Sequence, residues 1–303
     1  MTTKIKTISE LHQLRGLPKP DHPLISVINI ENVKYLPSDE PMNLTFDFYT
    51  IALKRILSKS KLKYGQEQYD FDEGLMSFMS PNQVFSIIIN KDEEFKQSGY
   101  VLLIHPDFFW NMSLAKTIKQ YEYFDYSVNE ALFLSEKEEK IVIEIIVNIQ
   151  RECELNIDNF SQHIIIAHVE TLLRYADRFY HRQFLTRKKA NHQLLETFEQ
   201  LMADYFKSDN ISHTGLPTVQ YISNKLNLSV SYLSRLLKTL TGQSTQQHIH
   251  NKLIEKAKER LSTTELTVSE ISYELGFEHS QSFSKLFKNK TNQSPLKFRQ
   301  SFN

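Results

Sequence analysis

Hydrophobic and polar positions change rhythm along this 303-residue chain. From Pro23 to about His105 the apolar runs are short and punctuated: LISVINI, NLTFDFYTIAL, LKYGQEQYDF, LMSFMS, FSIIIN and YVLLIHP. Gly65, Gly74, Pro81 and Gly99 stand between or at the edges of those runs. Many short strands closed by turns predict a barrel or sandwich. Residues 1 to about 20 show no clear period and predict an arm or a short helix. After a mixed, aromatic-rich stretch over 108–134 the period lengthens. SEKEEKIVIEIIVNIQRECEL opens with Ser135 and, three residues on, Glu138, a capping-box pair that predicts a long helix. Residues 161–185 predict a second, with Ile164, Ile165, Ala167, His168, Leu172, Tyr175, Ala176 and Phe179 spread over most of its circumference. Apolar faces that wide need partners, either the sheet and each other or a second subunit. HRQFLTRKK, His181 to Lys189, is highly charged and without a core pattern, and predicts a linker.

Helical spacing then resumes. LLETFEQLMADYF carries apolar residues at 194, 195, 198, 201, 202 and 205, and the stretch from Asn210 to Pro217 breaks the chain. TVQYISNKLNL places Val219, Ile222 and Leu226 on one face, and SVSYLSRLLKTLTG places Leu233, Leu236, Leu237 and Leu240 inward. Gly242 sits where a helix end turns left-handed. The connection NLSVS is short enough to force the two helices into a crossed pair, a helix-turn-helix.

The same device is written twice. SYLSRLLKTLTGQS, Ser231 to Ser244, returns fifty residues later as QSFSKLFKNKTNQS, Gln281 to Ser294, with six of fourteen positions identical. Upstream, Val268, Ile271, Leu275 and Phe277 match Val219, Ile222, Leu226 and Leu228 at an offset of 49, so the second turn holds one extra residue. Thr267 with Glu270 predicts a capping box there. Phe283, Leu286 and Phe287 form the inner face of the second copy. The outer faces carry Ser231, Ser234, Arg235 and Lys238 in the first copy, and Gln281, Ser284, Lys285 and Lys288 in the second. Between the copies, Ile249, Leu253, Ile254, Ala257 and Leu261 predict a connecting helix over 245–261. About 17 residues at ~1.5 Å each span roughly 26 Å. A rod of that size suits two outer helices set about one turn of B-DNA apart, roughly 34 Å.

Composition adjusts this picture at a few points. Forty per cent apolar and 24% charged residues describe a globular chain, and 303 residues exceed the usual size of one core, so two domains are expected. The most apolar segment, Ile141 to Ile149, is broken by Glu144 and Asn148, and neither a signal peptide nor a membrane span is expected. Cys153 is the only cysteine, which excludes an intramolecular disulfide and a cysteine-based metal cluster and suits a reducing cytoplasm. The formal net charge of +0 hides an asymmetry. Leu216 to Asn303 holds twelve Lys or Arg against six Glu, a net +6 that leaves −6 for the remainder. The basic piece is the one that holds the repeat.

Between Pro23 and Ile104 there is no histidine and no cysteine, which argues against metal catalysis inside a barrel. His22 and His105 stand at the edges and read as ordinary hydrogen-bonding residues. Phe46, Phe48, Tyr49, Tyr64, Tyr69, Phe71, Phe78 and Phe85 either line a ligand pocket or fill the core, so no ligand residue is assigned. Glu67 and Asp70 are not assigned as a catalytic pair, and no catalytic residue, metal or cofactor is expected.

The C-terminal hundred or so residues resemble the AraC/XylS family of bacterial transcription regulators. The resemblance is carried by YLSRLLKTLTGQS, the connecting helix and above all ELGFEHSQSFSKLFKNKTNQSPLKFR, and it covers about a third of the chain. YGQEQYDFDEGLMSFMSPNQ and GYVLLIHPDFF resemble, more loosely, the family's effector-binding domains. The resemblance implies an α+β protein in three parts. Residues 1–180 would be a cupin-like β-barrel with a helix pair that senses or dimerises, 181–190 a linker, and 191–303 an all-α domain of two helix-turn-helix units joined by a linker helix. It places base reading on Ser231, Ser234 and Arg235 and on Gln281, Ser284 and Lys285, with Lys238 and Lys288 on phosphates.

This sequence departs from the family in places. Asn292 stands where the family usually has Gly, Lys252 replaces a frequent Arg and Leu237 a frequent Phe. Lys285 in place of an Arg loses bidentate guanine recognition, so the second copy is expected to contribute more affinity than sequence reading. The resemblance implies a cytoplasmic regulator of double-stranded DNA, an activator by the family's commoner behaviour. It also implies RNA polymerase, a small-molecule effector and a second copy as partners, and no membrane. Two other readings find less support in the residues. A cupin isomerase or dioxygenase with a DNA-binding tail lacks barrel histidines, and a repair alkyltransferase acting through Cys153 lacks companion ligands for its thiolate.

Overall fold

A computed structural model of the protein describes residues 2–33, 38–56, 74–89, 97–127, 130–155, 158, 160–207, 211 and 215–301. The chain divides into two compact units, Met1–Gln183 and Phe184–Asn303.

The first unit begins with β1 (Thr2–Ile5), α1 (Ile8–Leu14), β2 (Ile25–Asn29), β3 (Ser38–Phe46) and β4 (Tyr49–Ile56). It continues with β5 (Gly74–Met79), β6 (Val84–Ile89), β7 (Gln97–Ile104), a short α2 (Leu114–Thr117) and β8 (Leu132–Leu134), and closes on α3 (Glu136–Glu154) and α4 (Ser161–Thr186). The strands form a three-stranded sheet, β1-β3-β6, and a five-stranded sheet, β2-β7-β4-β5-β8. Five of the expected runs are strands, whereas LKYGQEQYDF lies outside the described residues. The run NLTFDFYTIAL is not one strand but two. Its break falls at Asp47, whose N–H donates to the Ile5 carbonyl at 3.1 Å.

The first residues, expected as an arm or short helix, are both strand and helix. β1 runs parallel to β3, from Thr2 opposite Asn43 to Ile5 opposite Phe46. Thr7 then caps α1, its Oγ1 accepting from the Glu10 N–H at 3.1 Å while Glu10 Oε2 accepts from the Lys6 N–H at 2.7 Å. Ile5, Ile8 and Leu11 are buried with Leu44, Phe46, Phe48, Met79 and Leu103. Four aromatics left open between pocket and core are core. Phe46 stacks on Phe48 at 5.2 Å, Phe78 meets Tyr123 at 4.4 Å and Tyr49 meets Phe124 at 5.1 Å, all buried. Tyr64, Glu67, Tyr69, Asp70 and Phe71 lie outside the described residues, and Phe85 is a residue of β6 opposite Leu44.

Ser135 donates its N–H to Glu138 Oε2 at 2.9 Å, as its place before α3 predicts. α4 is apolar over a narrower arc than the sequence suggests. Ile165, Ile166, Val169, Leu172, Leu173, Ala176, Phe179 and Tyr180 are buried, whereas Ala167 is exposed and Ile164 is 42% exposed. The stretch 181–190 is helical up to Thr186 and again from Lys188. Its polar residues hold the edge strand. Gln183, 1% exposed, accepts from the Phe133 N–H at 2.8 Å and donates to the Ala131 carbonyl at 3.2 Å. Arg182 donates to the Phe133 carbonyl at 2.7 Å and to Glu138 at 2.6 Å. Their polarity satisfies strand backbone that would otherwise be buried without partners.

Cys153 is buried and free, and burial first, then the charges of Asp21, Glu152 and Glu154, push its thiol up to about 12. Burial of this kind disfavours the thiolate that the repair reading requires.

The second unit is all helical: α5 (Lys188–Lys207), α6 (Val219–Lys225), α7 (Val230–Thr241), α8 (Thr245–Thr263), α9 (Val268–Glu274), α10 (Ser280–Thr291) and α11 (Pro295–Gln300). α8 runs through its middle and packs on α5, α7, α9, α10 and α11. Phe198, Met202, Ile222, Leu233, Leu237, Ile249, Leu253, Leu261, Ile271, Phe283 and Phe287 form one continuous core. Among the described residues no helix is long and apolar enough to cross a membrane.

Candidate DNA interface

The repeat read in the sequence is a repeat of geometry. In the first copy the Leu228 N–H reaches back to the Ser223 carbonyl at 3.0 Å, and in the second the Phe277 N–H reaches the Ser272 carbonyl at 3.0 Å. Each bond closes the turn between the paired helices, and each turn needs one left-handed residue, Asn227 at φ 54° and Gly276 at φ 80°. Thr218 and Ser229 cap α6 and α7, accepting from the N–H groups of Tyr221 and Tyr232 at 3.0 and 3.1 Å. Thr267 and Glu270 form the expected capping box at α9, with bonds of 3.2 and 2.7 Å. α10 has no such side-chain cap at His279, which stands in the turn that is one residue longer.

α7 and α10 also end alike. Gly242 and Asn292 are left-handed at φ 75° and 60°, and Thr241 and Thr291 donate to the Leu237 and Phe287 carbonyls, both at 2.8 Å. Ser244 and Ser294 then start the next helix, so the repeated unit comprises two crossed helices and the cap of a third. α8 runs two residues past its expected end, and its 19 residues span ~28 Å at ~1.5 Å each.

On the outer face of α7, Lys238 is exposed and Ser231 half-buried. Ser234 is turned toward α8, its Oγ 3.3 Å from the buried Thr245 Oγ1, because it stands where the next helix begins. The Arg235 guanidinium lies 5.9 Å over the Phe184 ring, and Tyr232 meets the same ring edge-on at 5.2 Å. Phe184 was missed by the sequence analysis since it lies in a stretch dominated by charge. On α10, Gln281, Lys285 and Lys288 are exposed and Ser284 is half-buried. Both helices therefore present a basic, hydrogen-bonding face on a rigid support.

Among the described residues of the first unit no comparable basic helix face stands out. His22 Nδ1 accepts from the Leu24 N–H at 3.1 Å, and burial lowers the pKa of the ring. His105 accepts from the Asp107 N–H at 3.3 Å, capping the turn over 106–109. Among the described residues no group of three or more His, Cys, Asp or Glu is placed to hold a metal ion. A cleft of about 350 Å³ is lined by Arg55, Tyr100, Glu136, Glu139 and Lys140 among others. Arg55 pairs there with Glu139 and Lys140 with Glu136, and Glu31 adds a third carboxylate to the lining.

Residues 222–301 match the family described as a helix-turn-helix domain. This segment is a helix-turn-helix domain of the AraC type. Over 81 residues the chain is 40% identical to the Msm operon regulatory protein of Streptococcus mutans, which covers 27% of this chain and 29% of that protein. It is 35% identical over 79 residues to the HTH-type transcriptional activator RhaS of Escherichia coli, 26% of this chain and 28% of that protein. It is also similar to the solved C-terminal domain of the two-component response regulator yesN from Fusobacterium nucleatum, at 34% identity over 34% of this chain and 95% of that one, with a TM-score of 0.30. The match thus spans less than a third of the curated relatives' length. Those relatives are named as regulators of transcription, not as enzymes.

Proposed function

We propose that this protein is a sequence-specific DNA-binding regulator of transcription, and that α7 and α10 enter two adjacent major grooves on one face of the duplex. The observation that carries the reading is the doubled helix-turn-helix, with the same closing bonds at offsets of 49 and 50 residues on either side of one rigid helix. In this reading Ser231 and Arg235 meet base edges in the first groove, and Gln281, Ser284 and Lys285 in the second. Ser234 has to give up Thr245 to join them, and Lys238 and Lys288 bind phosphates. Footprinting on the DNA upstream of the protein's own gene at two salt concentrations is the test. Two protected segments about one helical turn apart are expected at both. Uniform protection that vanishes with salt would mean that the basic face is only electrostatic and would overturn the reading.

The first unit, with its two sheets and the α3–α4 pair, serves in this proposal as the cupin-like sensing and dimerising part. Residues 1–180 divide in function from 191–303, and an activator would bring RNA polymerase to the DNA from the cytoplasm. A relative named as a transcriptional activator supports that sign. Leu155, Phe160 and Ile164 are exposed at 62%, 70% and 42% around the α3–α4 connection, which supports contact with a second copy. Sedimentation equilibrium showing only monomer at micromolar concentration would count against it. Equal DNA affinity with and without every candidate small molecule would remove the effector.

A further inference from the structure

Asn251 joins the two halves of the AraC-type domain through side chains that the repeat does not explain. Its Nδ2 donates to Gln243 Oε1 at 2.8 Å, and its Oδ1 accepts from Lys290 Nζ at 2.9 Å. Lysine has only donors, so the amide oxygen must face Lys290, and the amide nitrogen is then left for Gln243. Gln243 belongs to the turn that ends α7, where its N–H donates to Thr241 Oγ1 at 3.2 Å. Lys290 lies in the last turn of α10. The relay therefore runs from the end of one reading helix, through α8, to the end of the other.

The repeat itself offers a control. Fifty residues after Gln243 and Asn251 stand Gln293 and Ser301, and the Ser301 hydroxyl donates locally to the Phe298 carbonyl at 2.6 Å. Among the described residues the relay is therefore made at Asn251 and not at the corresponding Ser301. The apolar face of α8, Ile249, Leu253, Ile254, Ala257 and Leu261, holds α7 and α10 against it, but apolar contact is non-directional and tolerates small rolls. Hydrogen bonds are directional and weaken steeply when bent.

We propose that Asn251 is a positioning residue that fixes the relative rotation of the two reading helices and thereby sets the spacing between half-sites that the protein accepts. The proposal rests on the DNA-binding function above. The test uses the full chain and duplexes carrying the two footprinted segments at natural spacing, and with one base pair added or removed between them. One base pair shifts the second site by about 3.4 Å and about 34°. Wild type is expected to lose about tenfold or more in affinity at either altered spacing, and Asn251→Ala about threefold or less, with unchanged thermal unfolding. Lys290→Met, which keeps the stem and removes the donor, is expected to behave like Asn251→Ala, and Lys290→Arg to restore the penalty. Because the readout is a ratio between spacings, a phosphate contact made by Lys290 cancels from it. Should Asn251→Ala fail to fold, Lys290→Met and Gln243→Ala carry the comparison. A spacing penalty equal in wild type and in the folded variants overturns the proposal, as does a wild type without any penalty. Failure of wild type to protect any defined segment is a different result and overturns the DNA-binding reading itself.

Discussion

Gly276→Ala is expected to destabilise the C-terminal unit by about 3 kcal/mol or more, roughly twice the effect of the same change at Gly242. Both glycines are left-handed, at φ +80° and +75°, and at each an L residue pays ~1–2 kcal/mol for that conformation. The surroundings decide the rest. A Cβ at Gly242 meets nothing within 4 Å, whereas at Gly276 it lies 2.9 Å from both the Gly215 Cα and the Ile211 carbonyl oxygen, and 3.0 Å from the Gly215 carbonyl carbon. All three are backbone atoms, which cannot rotate away as a side chain does, and overpacking of that kind adds ~1–3 kcal/mol. Gly276→Ala should therefore lower the denaturation midpoint followed by far-UV circular dichroism and abolish DNA protection at temperatures where Gly242→Ala still binds. Equal midpoints for the two variants would show that the chain around Gly215 yields, and that the close approach does not constrain the second turn.

The long and repeated helices were legible because their signals are local and redundant. Thr267 with Glu270, Ser135 with Glu138, and left-handed Gly242 and Asn292 each mark an end that the apolar period also marks, and the repeat checks each copy against the other. The sheets were less legible where pairing is long-range. Thr2–Ile5 is too short to show a period and becomes a strand only because β3 lies alongside it, and Leu132–Leu134 is a strand only through β5. The stretch 181–190, which holds the boundary between the two units, is more structured than its composition suggests. Arg182 and Gln183 are polar because they satisfy the backbone of an edge strand about fifty residues earlier, a role that composition renders as solvent exposure. On α7 and α10, sequence spacing placed the assigned residues off the buried side of each helix. It did not find which side chains are held, such as Ser234 at Thr245 and Arg235 at Phe184, since both partners come from other helices.

Arg235 and Lys285 occupy corresponding positions in the two copies and should fail differently when removed. A guanidinium can pair with both acceptors of a guanine edge, a bond worth ~1–3 kcal/mol of discrimination, or roughly 5- to 150-fold. In the free protein Arg235 rests 5.9 Å over Phe184. A cation–π contact of that kind contributes ~0.5–1 kcal/mol, less than a bidentate base contact at ~1–3 kcal/mol. Arg235→Ala is therefore expected to weaken binding to the best site and to flatten base preference in the first groove while leaving preference in the second unchanged. Lys285 has a point charge without a fork, so Lys285→Ala should weaken binding almost equally on all sequences and reduce the slope of log K against log salt by about one. Arg235→Lys separates charge from geometry, because it retains the positive charge and loses the planar pair of donors. Binding selections on randomised half-sites with the three variants give the answer directly. A sharp base preference surviving in Arg235→Lys would mean that Arg235 contributes charge alone, and that sequence reading in the first groove belongs to Ser231 and its neighbours.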